Sequence, residues 1–165
     1  MGALKGGSKR SPKRRGASRA GARRASGAER VDAALLDRLV QEAKEVRLRA
    51  YAPYSRYLVG AAIATKKGNI YSGCNVENAS FGGTSCAERG AVMKMVAAGE
   101  LEPIACAVVT GDPEGASPCG ICRQVLAEFA RDMPIVLVGL GSREGETGRV
   151  VRLADLLPMA FELKR

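Results

Sequence analysis

From Val31 onward the apolar positions fall into segments with two different periods. Val31, Leu35, Leu36, Leu39, Val40, Val46 and Leu48 recur at helical spacing, predicting a helix to about Ala50 with Asp32 near its start. Tyr51-Ala52-Pro53-Tyr54 breaks that pattern. Leu58–Thr65 is a mostly apolar run suited to a strand, Lys66-Lys67-Gly68-Asn69 a turn, and Ile70–Asn75 the second arm of a hairpin. Residues 75–84 read as a loop. A second helix is predicted over about Ser85–Ala98, with Gly99 at its end. Ile104–Thr110 reads as a buried strand, Gly111–Pro118 as a loop, Cys119–Arg131 as a third helix, and Ile135–Leu140 as another buried strand. The order α-β-β-α-β-α-β predicts a mixed sheet covered by helices, with the later βα units parallel. No internal repeat interrupts it.

Residues 1–30 obey neither period. They are built from Gly, Ser, Ala, Lys and Arg, and cannot bury enough apolar surface to offset the entropy of ordering, so a disordered basic tail is expected there. The tail carries the whole charge imbalance. The chain's net charge is +9, and residues 1–30 hold ten basic side chains against the single acid Glu29. The remaining 135 residues balance sixteen bases with sixteen acids, which argues against a polynucleotide channel in the body. The tail itself stays open to several readings: an arm for nucleic acid or an anionic surface, a solubilising extension, or residues ahead of a true start near Val31. It is Arg- and Ser-rich like a transit peptide, but lacks the apolar half of an amphipathic helix.

The other 135 residues make one domain, 31–165, long enough for a core. No apolar run approaches a membrane span, and no stretch of signal-peptide length is seen at the N-terminus. Five cysteines, an odd number, favour thiols or metal ligands over a disulfide framework. A reducing compartment, most simply the cytoplasm, is the expectation.

Chemistry concentrates in two short stretches, Cys86-Ala87-Glu88 and Pro118-Cys119-Gly120-Ile121-Cys122, in a chain with no histidine. If a zinc is bound, thiolates must carry it. Cys86, Cys119 and Cys122 fall in the first turns of the second and third predicted helices, where free N–H groups and the helix dipole favour thiolate. Three ligands leave a fourth position for water, as catalytic zinc requires. Three thiolates on Zn²⁺ leave a net charge of −1, which Arg89 is placed to offset by donating to sulfur. A lone C-x-x-C could equally be redox-active or structural, and Glu88 alone could be an exposed helix glutamate. Cys106, inside an apolar strand, reads as a buried hydrophobe, whereas Cys74 stays open as a fourth ligand. The joint pattern C-x-E…P-C-x-x-C is far more specific than its parts.

With those residues the chain resembles the cytidine deaminase family, specifically the small homotetrameric kind with three cysteine ligands. Tyr51-Ala52-Pro53-Tyr54-Ser55, Val59-Gly60-Ala61-Ala62, Gly73–Ser80, Cys86–Arg89 and Pro118–Leu126 are all similar to family blocks, and the likeness covers roughly residues 31–165. Zinc-dependent nucleobase deaminases with C-x-E and P-C-x-x-C elements are an established class. The resemblance implies a three-layer α/β/α fold with a mixed five-stranded sheet and helices on both faces. It implies one zinc per subunit on Cys86, Cys119 and Cys122, with Glu88 as proton shuttle. An activated water would add at C4 of cytosine while Glu88 protonates N3, then passes a proton to the departing amine; ammonia leaves and uridine remains.

The same resemblance assigns Asn75, Val76 and Glu77 to substrate binding, Asn75 and Glu77 as the ribose pair. A carboxylate at that place disfavours a phosphate nearby, so free pyrimidine nucleosides are the expected partners. Asn75 and Glu77 could otherwise form only an Asx-type turn. Tyr57 stands where a stacking Phe is usual, and stacking should survive. Ala79, Phe81 and Phe161 match residues that neighbouring subunits contribute in a homotetramer. Leu58 replaces a common proline, and Phe81 a frequent tyrosine, which removes a hydroxyl. Two rivals remain at this point. A deaminase of the same fold acting on blasticidin S would keep the zinc and Glu88 but need not keep Asn75–Asn78. A non-enzymatic zinc module with an RNA-binding arm would not need Glu88.

Overall fold

The computed structural model describes Gly2, residues 31–140 and residues 148–163. The expectation for the basic tail falls outside these residues, apart from Gly2. The elements are α1 (Ala33–Arg47), β1 (Gly60–Thr65), β2 (Ile70–Cys74), α2 (Ala87–Ala97), β3 (Pro103–Thr110), α3 (Gly120–Phe129), β4 (Pro134–Gly139), β5 (Arg149–Arg152) and α4 (Leu153–Leu156), with a short 3₁₀ turn at Phe81–Gly83. Among the described residues no helix is long and apolar enough to cross a membrane.

The strands form one sheet in the order β2-β1-β3-β4-β5. β1 runs antiparallel to β2 and β3, β3 parallel to β4, and β4 antiparallel to β5. The predicted mixed sheet with helices on both faces is what the chain builds. Strand alternation sorts the side chains into two cores. Ala61, Ile63, Cys106 and Val108 pack under α2 and α3, while Ala62, Ala64, Ala107 and Val109 pack under α1. β1 is buried on both faces, which explains its alanine-rich sequence, since small side chains let a helix approach from either side.

Two glycines set those approaches. A Cβ at Gly60 would stand 2.8 Å from the Arg47 Cβ on α1, and one at Gly73 would stand 2.6 Å from the Ala87 carbonyl oxygen on α2. Both helices lie directly on the backbone of the sheet, from opposite faces. α1 starts where expected, its N-cap Asp32 accepting from the Ala34 N–H at 3.3 Å. It ends at Arg47, three residues before the predicted end, and the Arg47 Nε donates to the Leu58 carbonyl at 2.8 Å. β1 begins at Gly60 rather than Leu58; the Leu58 carbonyl accepts from Arg47, and the Val59 N–H donates to the Asn75 side chain.

β2, β3 and β4 all point the same way, so α2, following β2, and α3, following β3, both begin beyond the same edge of the sheet. In open α/β sheets this is the edge where ligands bind.

Candidate active site

Cys86 and Cys119 are not inside the first turns, as the sequence reading placed them, but one residue earlier, at the N-caps of α2 and α3. Both have extended backbone there, and neither thiol caps its own helix. Their sulfurs are thereby left facing each other, 3.9 Å apart. Cys122 is the third residue of α3 and fully buried. The three sulfurs lie within 4.8 Å of one another. A tetrahedral zinc with bonds of about 2.3 Å holds its sulfurs about 3.8 Å apart, so the cluster fits one with little movement.

Electrostatics favours ionisation at Cys86. The hydrogen bond with Cys122 pulls the Cys86 thiol down to about 5; burial opposes this, and Cys119 and the Arg89 guanidinium add to it. Cys122, the other end of that shared proton, is pushed up. Arg89 donates from Nη2 to the Thr84 carbonyl, while its Nε is buried without a partner. A buried guanidinium N–H beside the Cys86 thiol is what a charged sulfur cluster would use.

Glu88 is the second residue of α2 and only 4% exposed. Desolvation dominates its chemistry and raises its pKa, with a smaller push from Cys86. It lies over the β3 strand, close enough that its charge adds to the burial that raises the Cys106 thiol. Cys106 is thus a buried neighbour of Glu88 and lies outside the sulfur cluster, in keeping with its reading as a small hydrophobe. Cys74 is outside the cluster as well.

These groups open into a cavity of about 430 Å³, a size suited to one small ligand. Cys86, Cys119 and Glu88 line one part; Tyr57, Asn75 and Glu77 line another. The Asn75 amide is committed on both sides, accepting from the Val59 N–H and donating to the Tyr57 carbonyl, each at 2.8 Å. Glu77 accepts from the Tyr54 and Ser55 N–H groups at 2.8 and 3.2 Å and from the Ser55 hydroxyl. The Ser55 hydroxyl is the main cause that holds its carboxyl below the usual range, so it is ionised at neutral pH. Each residue thus shapes the loop around the cavity while keeping spare lone pairs or protons.

Val76, between them, has an exposed side chain and is not on the cavity wall; its backbone pairs with Ser85. Ala79 lies in an exposed bend, and Phe81 is 79% exposed, its ring edge-on to Tyr54 with centroids 6.2 Å apart. Phe161 is 71% exposed, with its backbone clipped by the Gln124 amide at 2.9 and 3.1 Å. The fold does not bring these three into this chain's own cavity.

Several contributors were not singled out from sequence. Arg123 donates to the Pro118 carbonyl at 2.7 Å, the Ser117 hydroxyl at 2.9 Å and the Leu156 carbonyl at 3.1 Å, fixing the segment that presents Cys119. Its only sequence signal is its place directly after Cys122. Ser55, Thr84 and Thr110 also line the cavity.

A family model described as the cytidine and deoxycytidylate deaminase zinc-binding region matches residues 34–138. The chain belongs to that family. Among curated relatives, a cytidine deaminase of Sporosarcina psychrophila is 45% identical over 127 residues, which is 76% of this chain and 90% of the relative. One from Mycobacterium tuberculosis is 42% identical over 114 residues, 69% of this chain and 80% of the relative. The crystal structure of cytidine deaminase from Burkholderia pseudomallei superposes with a TM-score of 0.70 at 44% identity, covering 76% of this chain and 98% of that one. Membership gives the sulfur cluster its metal: in a zinc-dependent deaminase, Cys86, Cys119 and Cys122 hold one zinc per subunit.

Proposed function

We propose that the chain catalyses the hydrolytic deamination of cytidine and deoxycytidine to uridine and deoxyuridine plus ammonia, a step of pyrimidine salvage. The observation that carries this reading is a three-thiol cluster and a buried glutamate opening into one nucleoside-sized cavity. Zinc, when bound, supplies a Lewis acid that lowers the pKa of water. The protein's own residues do the rest. Glu88, desolvated and raised in pKa, is suited to take a proton, give it to the ring N3, and return one to the leaving amine. Arg89 and the starts of α2 and α3 offset the charge of three thiolates.

At the other part of the cavity, Asn75 and Glu77 receive the sugar with the bonding capacity their loop leaves free, and Tyr57 stacks on the base. Val76 contributes as the spacer that keeps the two on one side. The ionised Glu77 repels phosphate, which supports free nucleosides over nucleotides as substrates. Ala79, Phe81 and Phe161 act in a neighbouring subunit of a homotetramer; the exposure of both phenylalanines and the Gln124 clip on Phe161 support this. We place the enzyme in the cytoplasm, with the basic tail dispensable for turnover.

An ultraviolet assay of cytidine, deoxycytidine and blasticidin S tests the reading, with and without a chelator. Chelator-sensitive turnover of the two nucleosides is expected. Turnover of blasticidin S alone would move the enzyme to the rival specificity, and activity unaffected by metal removal would end the zinc mechanism. Truncation of residues 1–30 should leave cytidine turnover unchanged.

A further inference from the structure

Among the described residues, two buried side-chain polar atoms lack a hydrogen-bond partner: the Arg89 Nε and the Thr110 hydroxyl. The first belongs to the sulfur cluster. The second has no role in the site as drawn so far, although Thr110 is 1% exposed and lines the active-site cavity. A hydroxyl carries one donor and two acceptor positions, and leaving all of them empty in the interior is costly.

The sheet register says where it stands. Gly60 pairs with Cys74 on one side and Val109 on the other, so Asn75, Val59 and Thr110 follow as the next row across the sheet edge. All three fall on the face that carries Ala61 and Val108, and all three line the cavity. Thr110 therefore sits two strand spacings, about 9.6 Å, from Asn75. It is the polar end of a row that starts at the sugar pair and runs beneath the opening toward α3.

We propose that Thr110 is a specificity-determining residue whose hydroxyl hydrogen-bonds a polar edge atom of the bound pyrimidine ring. The proposal rests on the nucleoside reading of the cavity. With Asn75 holding the sugar, the ring is the part of a nucleoside that extends along the row toward the unmatched hydroxyl. Val59, between them, offers an apolar surface for the flat part of the ligand. Binding satisfies Thr110 and gives the ring a contact that an apolar side chain cannot supply.

The test compares wild type, T110V and T110S, all zinc-loaded, by calorimetric binding of uridine, by KM and kcat for cytidine, and by Tm. T110V keeps the shape and removes the hydroxyl. It is expected to weaken uridine binding about tenfold and raise KM similarly, with kcat changed less and Tm equal or higher, because a buried unpartnered group is removed. T110S should return uridine binding to within about threefold of wild type. T110V that binds uridine like wild type overturns the proposal, since the hydroxyl is then idle. T110V that melts lower or fails to fold also overturns it, because the hydroxyl is then used inside the fold. If wild type itself neither turns over cytidine nor binds uridine, the nucleoside reading fails and takes the proposal with it.

Discussion

Two glutamates stand at opposite ends of the same helix, equally hidden from water and treated in opposite ways. Glu88, in the first turn of α2, is 4% exposed, and Glu100, just past its last turn, is 6% exposed. Glu100 is surrounded by donors. The Thr65 hydroxyl, the Asn69 amide at 2.6 Å and the Tyr71 hydroxyl at 2.9 Å all reach its carboxylate. Those bonds, led by Thr65, hold its pKa below the ordinary range. Glu88 has only its own backbone N–H and the Cys122 thiol as donors, and desolvation outweighs them and pushes its pKa the other way. Burial alone does not make a carboxylate reactive. What separates the structural acid from the proton carrier is how completely the fold satisfies the charged form. Glu100 locks the β1–β2 turn to the end of α2; Glu88 is left free to exchange its proton.

The contrast breaks most sharply at Glu88. E88Q is expected to lose about 10³-fold or more in kcat for cytidine while keeping zinc and an unchanged or higher Tm. Near-normal turnover in that variant would sink the division of roles. Next in size is C119S, expected to lose about 100-fold in activity together with most of its zinc, read by metal analysis. Its turn at Glu100 should stay intact, seen as a cooperative melt.

E100Q reverses the pattern. Its Tm should fall by several degrees while kcat and KM stay within about twofold, because the damage is 12 residues and a whole helix away from Glu88. A large kcat loss there would show that the two ends of α2 are coupled. The pH dependence sharpens the same point. A carboxyl lowered on folding adds stability above its ordinary value of 4.5, and that gain is lost as pH falls through the depressed folded pKa. Wild type should therefore lose more stability than E100Q as pH drops below about 4.5, measured by melts across pH 3–6. The smallest effect belongs to Y71F, which removes one of several donors and should lower Tm less than E100Q does.

Much of this arrangement could be read before any coordinates. The three cysteines and Glu88 are adjacent in short motifs, and the strands that position them are apolar runs with few competing assignments. β5 was not read. Arg149-Val150-Val151-Arg152 is too short to show alternation and carries arginines suited to a sheet edge. The helix α4 spans only about one turn, too short for helical spacing to recur. Glu100 reads in sequence as one more polar residue after a helix; its donors come from 29 to 35 positions away and share no motif with it. Thr110 looked like the end of a buried strand, which it is. That its hydroxyl lies in the cavity depends on pairing register, and register is a property of the sheet rather than of the strand.

Gly73 carries a consequence beyond packing. Because α2 rests on bare backbone at that point, with the Ala87 carbonyl only 2.6 Å from where a methyl would be, the height of α2 above the sheet has a floor set by one hydrogen atom. Cys86 and Glu88 ride on α2, whereas Cys119 and Cys122 ride on α3. Raising one helix by about 1 Å would shift one sulfur and the proton carrier together against the other two sulfurs, a displacement on the scale that misaligns reacting groups. Gly73 is in that sense a gauge block between two halves of the reaction centre: it touches neither, yet it sets the distance at which they meet.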